Sequence, residues 1–135
     1  MSKSNATEND VLKMMLQGVD PAWRAGATIY VALYTADPGE AGTAITNEAT
    51  YGGYARVGVA KASGWSDGGS TFSNSGLVQF PQCTSGSNAI THFGLVTSPS
   101  GAGQLITSGA LSSTLNVSSG IQPQFAPGDL DVTED

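Results

Sequence analysis

Two different periods of apolar residues divide the chain. In the first, Val11, Leu12, Met15 and Leu16 recur at helical spacing and share one side of a short helix. Thr7 reads as the N-cap of that helix, with Asp10 three positions on as a capping-box partner, and Gly18 ends it. The apolar side suits either a lid over the core or an arm that reaches another subunit, while residues 1–6 are polar and read as mobile until docked. From Ile29 the period falls to two. Ile29, Val31 and Leu33 face one way and Tyr30, Ala32 and Tyr34 the other, which predicts a strand.

Asp37-Pro38-Gly39 predicts a turn: proline sets φ, glycine accepts the positive φ that follows, and the aspartate side chain accepts from the backbone ahead. A second strand places Ala55, Val57 and Val59 on one face, and a Gly-rich connection over residues 64–75 follows, with Trp65 and Phe72 as its large anchors. Residues 77–80 form a short strand that stops at Pro81. Residues 89–97 carry apolar side chains on both faces, Ile90 and Val96 against Phe93 and Leu95, as a central strand would. After a turn at residues 99–103 come strands at 105–107 and 111–117, the latter with Leu111, Leu115 and Val117 dry and Ser112, Thr114 and Asn116 wet. Pro127-Gly128 turns the chain before Leu130 and Val132. About seven short strands at turn spacing predict an all-β fold, a two-layer antiparallel β-sandwich of jelly-roll-like form with one short N-terminal helix. Residues 1–27 are then an N-terminal arm and helix, and residues 28–135 the sandwich domain.

Composition narrows the function more than the fold. The net charge is -6 and the basic residues are Lys3, Lys13, Arg24, Arg56 and Lys61, too few and too scattered to neutralise a row of phosphates, so direct nucleic-acid binding is not expected. Charged residues make up only 12% of the chain, which leaves much of the surface uncharged, as suits a subunit buried among partners. Cys83 is the single cysteine, so no internal disulfide forms, and it reads as a small buried hydrophobe. The N-terminal residues lack an apolar signal region and no stretch reaches the length of a membrane span, so a soluble cytoplasmic product is expected.

Candidate chemistry is sparse. Gly64-Trp65-Ser66-Asp67-Gly68 has the G-x-S-x-G form of a nucleophile elbow, but Asp-Gly-Gly follows instead of a helix, and no acidic residue stands between Asp67 and His92. His92 is the only histidine, on the face assigned to Ile90 and Val96, and without a second histidine or a cysteine pair it reads as a packed or interface residue. Asp129 and Asp131, two apart on a strand with Glu134 and Asp135 beyond, read as an acidic edge and lack the spacing of a calcium loop. Glu48 and Arg56 bracket Gly52-Gly53 and form either a pair that closes the loop or a pair between subunits. Asn5-Ala6-Thr7 and Asn116-Val117-Ser118 match the glycosylation pattern, which carries no weight without export. No enzyme activity, cofactor or metal is expected.

A series of short words runs through the chain in order. They are Ile29-Tyr30-Val31-Ala32-Leu33-Tyr34-Thr35 with Asp37-Pro38-Gly39, Asn47-Glu48, Gly53-Tyr54-Ala55-Arg56-Val57 and Trp65, then Phe72-Ser73-Asn74 and Val78-Gln79-Phe80-Pro81. Ile90-Thr91-His92-Phe93-Gly94-Leu95, Gly103-Gln104-Leu105-Ile106 and Phe125-Ala126-Pro127-Gly128-Asp129-Leu130 complete the series. Together they resemble a family of small virion proteins of tailed bacteriophages, of the head decoration (cement) or tail-fibre type. The resemblance implies a non-enzymatic β domain that assembles on the particle. The first expectation is a capsid decoration protein, a homotrimer that binds the outside of the major capsid shell, has the major capsid protein as its partner, and stabilises the shell by mass action. It would be made in the bacterial cytoplasm and reside on the capsid exterior. The alternatives are a tail-fibre or tail-tip subunit and, from another class, a carbohydrate-binding module using Tyr30, Tyr34 and Tyr54. Val11, Leu12, Met15, Leu16, Arg56, Asp129 and Asp131 are the interface candidates, the two aspartates facing basic residues of a capsid shell.

Overall fold

The computed structural model describes residues 1–134. In chain order these form β1 (Ser2–Lys3), α1 (Asn5–Gln17), a 3₁₀ turn (Ala22–Arg24), β2 (Thr28–Tyr34), β3 (Val57–Ala60), β4 (Trp65–Asp67) and β5 (Thr71–Asn74). There follow β6 (Val78–Gln79), β7 (Ser87–Val96), β8 (Leu105–Ser118), β9 (Gln124–Phe125) and β10 (Asp131–Thr133). Every pairing among the described strands is antiparallel. One sheet has the order β1-β8-β7-β2-β3, a second β10-β5-β4, and the third is the pair β6-β9. The fold is all-β with an N-terminal helix, as the residue pattern predicts. Among the described residues no helix is long and apolar enough to cross a membrane.

Strand β2 shows why both of its faces are apolar. Ile29, Val31 and Leu33 enter a large cluster with Phe80, Ile90, Phe93, Leu95 and Leu130, while Ala32 and Tyr34 enter a smaller one with Ala44, Val96 and Leu105. A strand buried on both sides contributes about 1.5–3 kcal/mol from each large side chain it removes from water. The larger cluster also takes Val78 of β6 and Cys83, with Trp65, Phe125 and Val132 packed against it, so side chains from all three sheets share one core. The Cys83 thiol is buried and donates to the Ser85 carbonyl. Asn74, also buried, ties the end of β5 to the last turn: its Nδ2 donates to the Gly76 and Ala126 carbonyls at 2.7 and 3.0 Å, and its Oδ1 accepts from the Leu130 amide at 2.9 Å.

Four local expectations are corrected. Ser4 caps α1 in place of Thr7, and the segment before it is docked, with Ser2 and Lys3 paired to Ser108 and Thr107 at the edge of the main sheet. The Gly-rich connection contains the hairpin β4–β5, turned at Gly69 (φ 92°), whose amide donates to Asp67 Oδ1 at 2.8 Å; Phe72 in that hairpin is 40% exposed and belongs to neither core cluster. Between Ile90 and His92 the register slips, residues 111–114 of β8 standing opposite Thr91 alone, and Ile90 lies in the same cluster as Phe93 and Leu95, not with Val96. The two strands expected around Gly109 are one strand of 14 residues. Gly109 is not a break: a Cβ there would meet the Phe93 ring at 3.1 Å, so the glycine makes room for an aromatic neighbour.

Gly94 has the same role at the centre of the sheet, where a Cβ would stand 2.7 Å from the Tyr34 ring and 2.9 Å from Leu105 Cδ1. Both neighbours are fully packed, so Gly94→Ala is expected to destabilise the protein by about 1–3 kcal/mol. Urea unfolding midpoints measure this, and an unchanged midpoint would show that the Tyr34 ring can yield.

Candidate interaction surface

The polar side of α1 holds it to the sheet. Ser4 Oγ accepts from the Thr7 amide at 3.2 Å, and the Ser4 amide donates to the Ile106 carbonyl at 3.0 Å. Thr7 is buried and donates to the Leu105 carbonyl at 3.4 Å. Gln104 Nε2 donates to Thr7 Oγ1 and Asp10 Oδ2, both at 3.0 Å, and Trp23 Nε1 donates to the same Asp10 oxygen at 2.9 Å. The hydrogen bond from Gln104, then that from Trp23, favours the ionised carboxylate and holds Asp10 below its usual range. Positions 7, 10, 11 and 14 thus make the docked side, with Val11 and Met14 half-buried.

The opposite stripe faces outward. Leu12 is 51% exposed, Met15 65% and Leu16 77%, and Val19, set just past the Gly18 cap (φ 66°), is 51% exposed. Leu12, Met15 and Leu16 share one face of the helix by their spacing of three and one, and Val19 follows the left-handed glycine that ends it. The lid reading of the helix is therefore corrected: most of its apolar side does not cover the core, and Val11 parts company with Leu12, Met15 and Leu16. Exposed Lys13 stands next to the stripe in sequence. Four large apolar side chains held in water on a firmly seated helix make a surface suited to burial against another protein.

Arg56, Glu48 and Tyr54 lie elsewhere and face inward. Arg56 Nε and Nη2 donate to the two Glu48 oxygens at 2.7 and 2.8 Å, with the arginine side chain 2% exposed and the glutamate 14%. Arg56 also donates to the Ser98 carbonyl at 3.0 Å and the Gly101 carbonyl at 2.7 Å, and Tyr54 donates to Glu48 Oε2 at 2.7 Å while accepting from the Leu33 amide. The bidentate bond to Glu48 raises the Arg56 pKa further, and burial pushes those of Tyr34 and Tyr54 well up. Arg56 is spent within its own chain, closing the loop, and is withdrawn as an interface residue. Tyr34 is fully buried, its hydroxyl donating to the Ala44 carbonyl, so neither it nor the hydrogen-bonded Tyr54 forms the exposed aromatic platform that sugar binding needs.

The remaining candidates are dispersed. Asp129 lies in the turn before Leu130 and not on a strand; Asp131 opens β10 and accepts from Ser73 Oγ at 2.7 Å. Both are exposed and border one groove. Glu134 pairs with Lys3, and Asp135 lies outside the described residues. Ser66 sits in β4, which turns into β5 and not into a helix, with its hydroxyl 3.1 Å from that of Ser75. His92 is on β7, its Nδ1 2.8 Å from Thr91 Oγ1.

The model of one protein family, described as podophage GP4 fiber I protein gp80, matches residues 2–133. The chain belongs to this family. It is a phage virion structural protein with a β-rich fold. No curated protein matches the chain. The gp80 family match takes in everything from β1 to β10, so α1 and its outward stripe lie inside the family's segment. Within that segment the residues that seat the helix, Thr7, Asp10, Trp23 and Gln104, and the stripe member Val19 escape a reading by periodicity. Gln104 is remote from α1 in sequence, Trp23 lies in the 3₁₀ turn after it, outside the helical pattern, and Val19 lies beyond the glycine that ends that pattern.

Proposed function

We propose that the protein is a fibre-type structural subunit of the phage particle, joined to a neighbouring virion component through Leu12, Met15, Leu16 and Val19. The observation that carries this is the orientation of α1, whose polar side is committed to its own sheet while its apolar side stands in water. The fibre description of the gp80 family supports the fibre over the head. On this reading the chain works by adhesion, turns over no substrate, and needs no cofactor. The core shared by the three sheets supports a two-layer sandwich as its architecture.

Head decoration, as a homotrimer on the major capsid protein, is the second reading, and the ordered words of residues 29–133 favour it as much as the fibre. Copy number separates the two. Quantitative mass spectrometry of purified particles, with immunogold labelling, is expected to find a small number of copies confined to the tail. Hundreds of copies spread over the head would overturn the fibre assignment.

A further inference from the structure

The main sheet is incomplete along one edge. Strand β8 pairs with β7 at residues 107–110 and 115–118 and leaves residues 111–114 without a β7 partner, while on its other side β1 covers only Thr107 and Ser108. Among the described residues, no strand pairs with the outer edge of residues 109–118, and no side-chain hydrogen bond reaches them. This segment, GALSSTLNVS, contains no charged residue and no proline, the devices that usually protect a free edge. The backbone groups there that β7 does not pair are left to water, except the Ser118 carbonyl, which accepts from the Ile121 amide.

A groove of about 580 Å³ runs beside the same edge. Leu111 and Leu115 of β8, with Phe93 and Phe125, give it an apolar lining, and Asp129 and Asp131 stand at its border. An unpaired strand edge beside an apolar groove is a setting in which an extended peptide adds to a sheet, and the two carboxylates at the border suit a cationic one.

We propose that this groove binds an extended segment of another polypeptide, laid against β8 in the line begun by β1, with apolar side chains at alternate positions and basic residues between them. Charge decides against a second copy. Each chain carries -6, and pairing two β8 edges would bring four border carboxylates together. Nor does the chain have a basic strand to give: Lys3 is paired with Glu134 in β1, Lys13 is in α1, Arg24 pairs with Asp20, Arg56 is buried, and Lys61 donates to the Trp23 carbonyl. The partner strand is therefore foreign and cationic. The site stands independently of where on the particle the protein sits.

The test uses the full chain and a capped heptapeptide of alternating valine and lysine. Fluorescence anisotropy is expected to show saturable binding, with hydrogen exchange slowed at amides in residues 109–118. A peptide of the same sequence N-methylated at alternate residues keeps the side chains but loses the ladder, and is expected to bind at least tenfold more weakly. Replacing its lysines by glutamates, or making Asp129→Asn with Asp131→Asn in the protein, is expected to weaken binding similarly. Equal binding of the N-methylated peptide, absence of protection at residues 109–118, or a peptide-free dimer that already protects them would each overturn the proposal.

Discussion

Arg56→Met is expected to cost the fold about 3–5 kcal/mol, because it leaves the Glu48 carboxylate, largely withdrawn from water, without its cation. It also removes the donors held by the Ser98 and Gly101 carbonyls, so two loops lose a common anchor. For a chain of this length the loss corresponds to a fall in Tm of roughly 10–20 °C, a large share of a total stability of about 5–15 kcal/mol. The double variant Glu48→Leu with Arg56→Met removes both charges and is expected to recover a large part of the loss, since an apolar pair of similar volume avoids the orphaned carboxylate. Guanidinium unfolding of the two variants measures this. A single variant within 1 kcal/mol of the natural protein would show that the pair does not hold the loop.

Leu12→Glu with Leu16→Glu is expected to leave the fold intact and abolish incorporation into particles. Both side chains are more than half exposed and touch no core cluster, so the change in unfolding free energy should stay within about 0.5 kcal/mol per site. At the centre of an interface each replacement buries an unpaired carboxylate, and a loss of about 2 kcal/mol or more per position weakens binding about thirtyfold each time. Complementation of a phage lacking the protein, followed by blotting of purified particles, reads the outcome. Unchanged incorporation, with circular dichroism confirming the helix, would remove α1 from the assembly contact. Thr7→Val is the informative contrast, since it acts on the seat of the helix and not on its outward stripe.

Most strands were legible because their signal is local. Alternation marked β2 and the far half of β8, and Asp37-Pro38-Gly39 folds as read, with the Gly39 amide donating to Asp37 Oδ1 at 2.9 Å. The failures fall where a residue type has two uses. Gly109 reads as a break and is instead a vacancy for the Phe93 ring; Asp67-Gly68-Gly69 reads as loop and is a hairpin turn. The slip of register between β7 and β8 leaves no mark in the alternation, and yet Ile90 shares its cluster with Phe93 and Leu95 and not with Val96.

The residues alone determine that the fold is β-rich behind one helix, that Glu48 and Arg56 are near enough in sequence to pair, and that the helix has an apolar side. Each of these follows from spacing over a few residues. Only the tertiary structure decides which way that side faces, because the choice is made by Gln104, which reaches Asp10 from a distant part of the chain, and by Trp23, folded back from the turn after the helix; together they hold the polar stripe inward. The open edge of β8 is likewise invisible in its own sequence. An edge is a missing neighbour, and strand order is set by long-range pairing that no local period records.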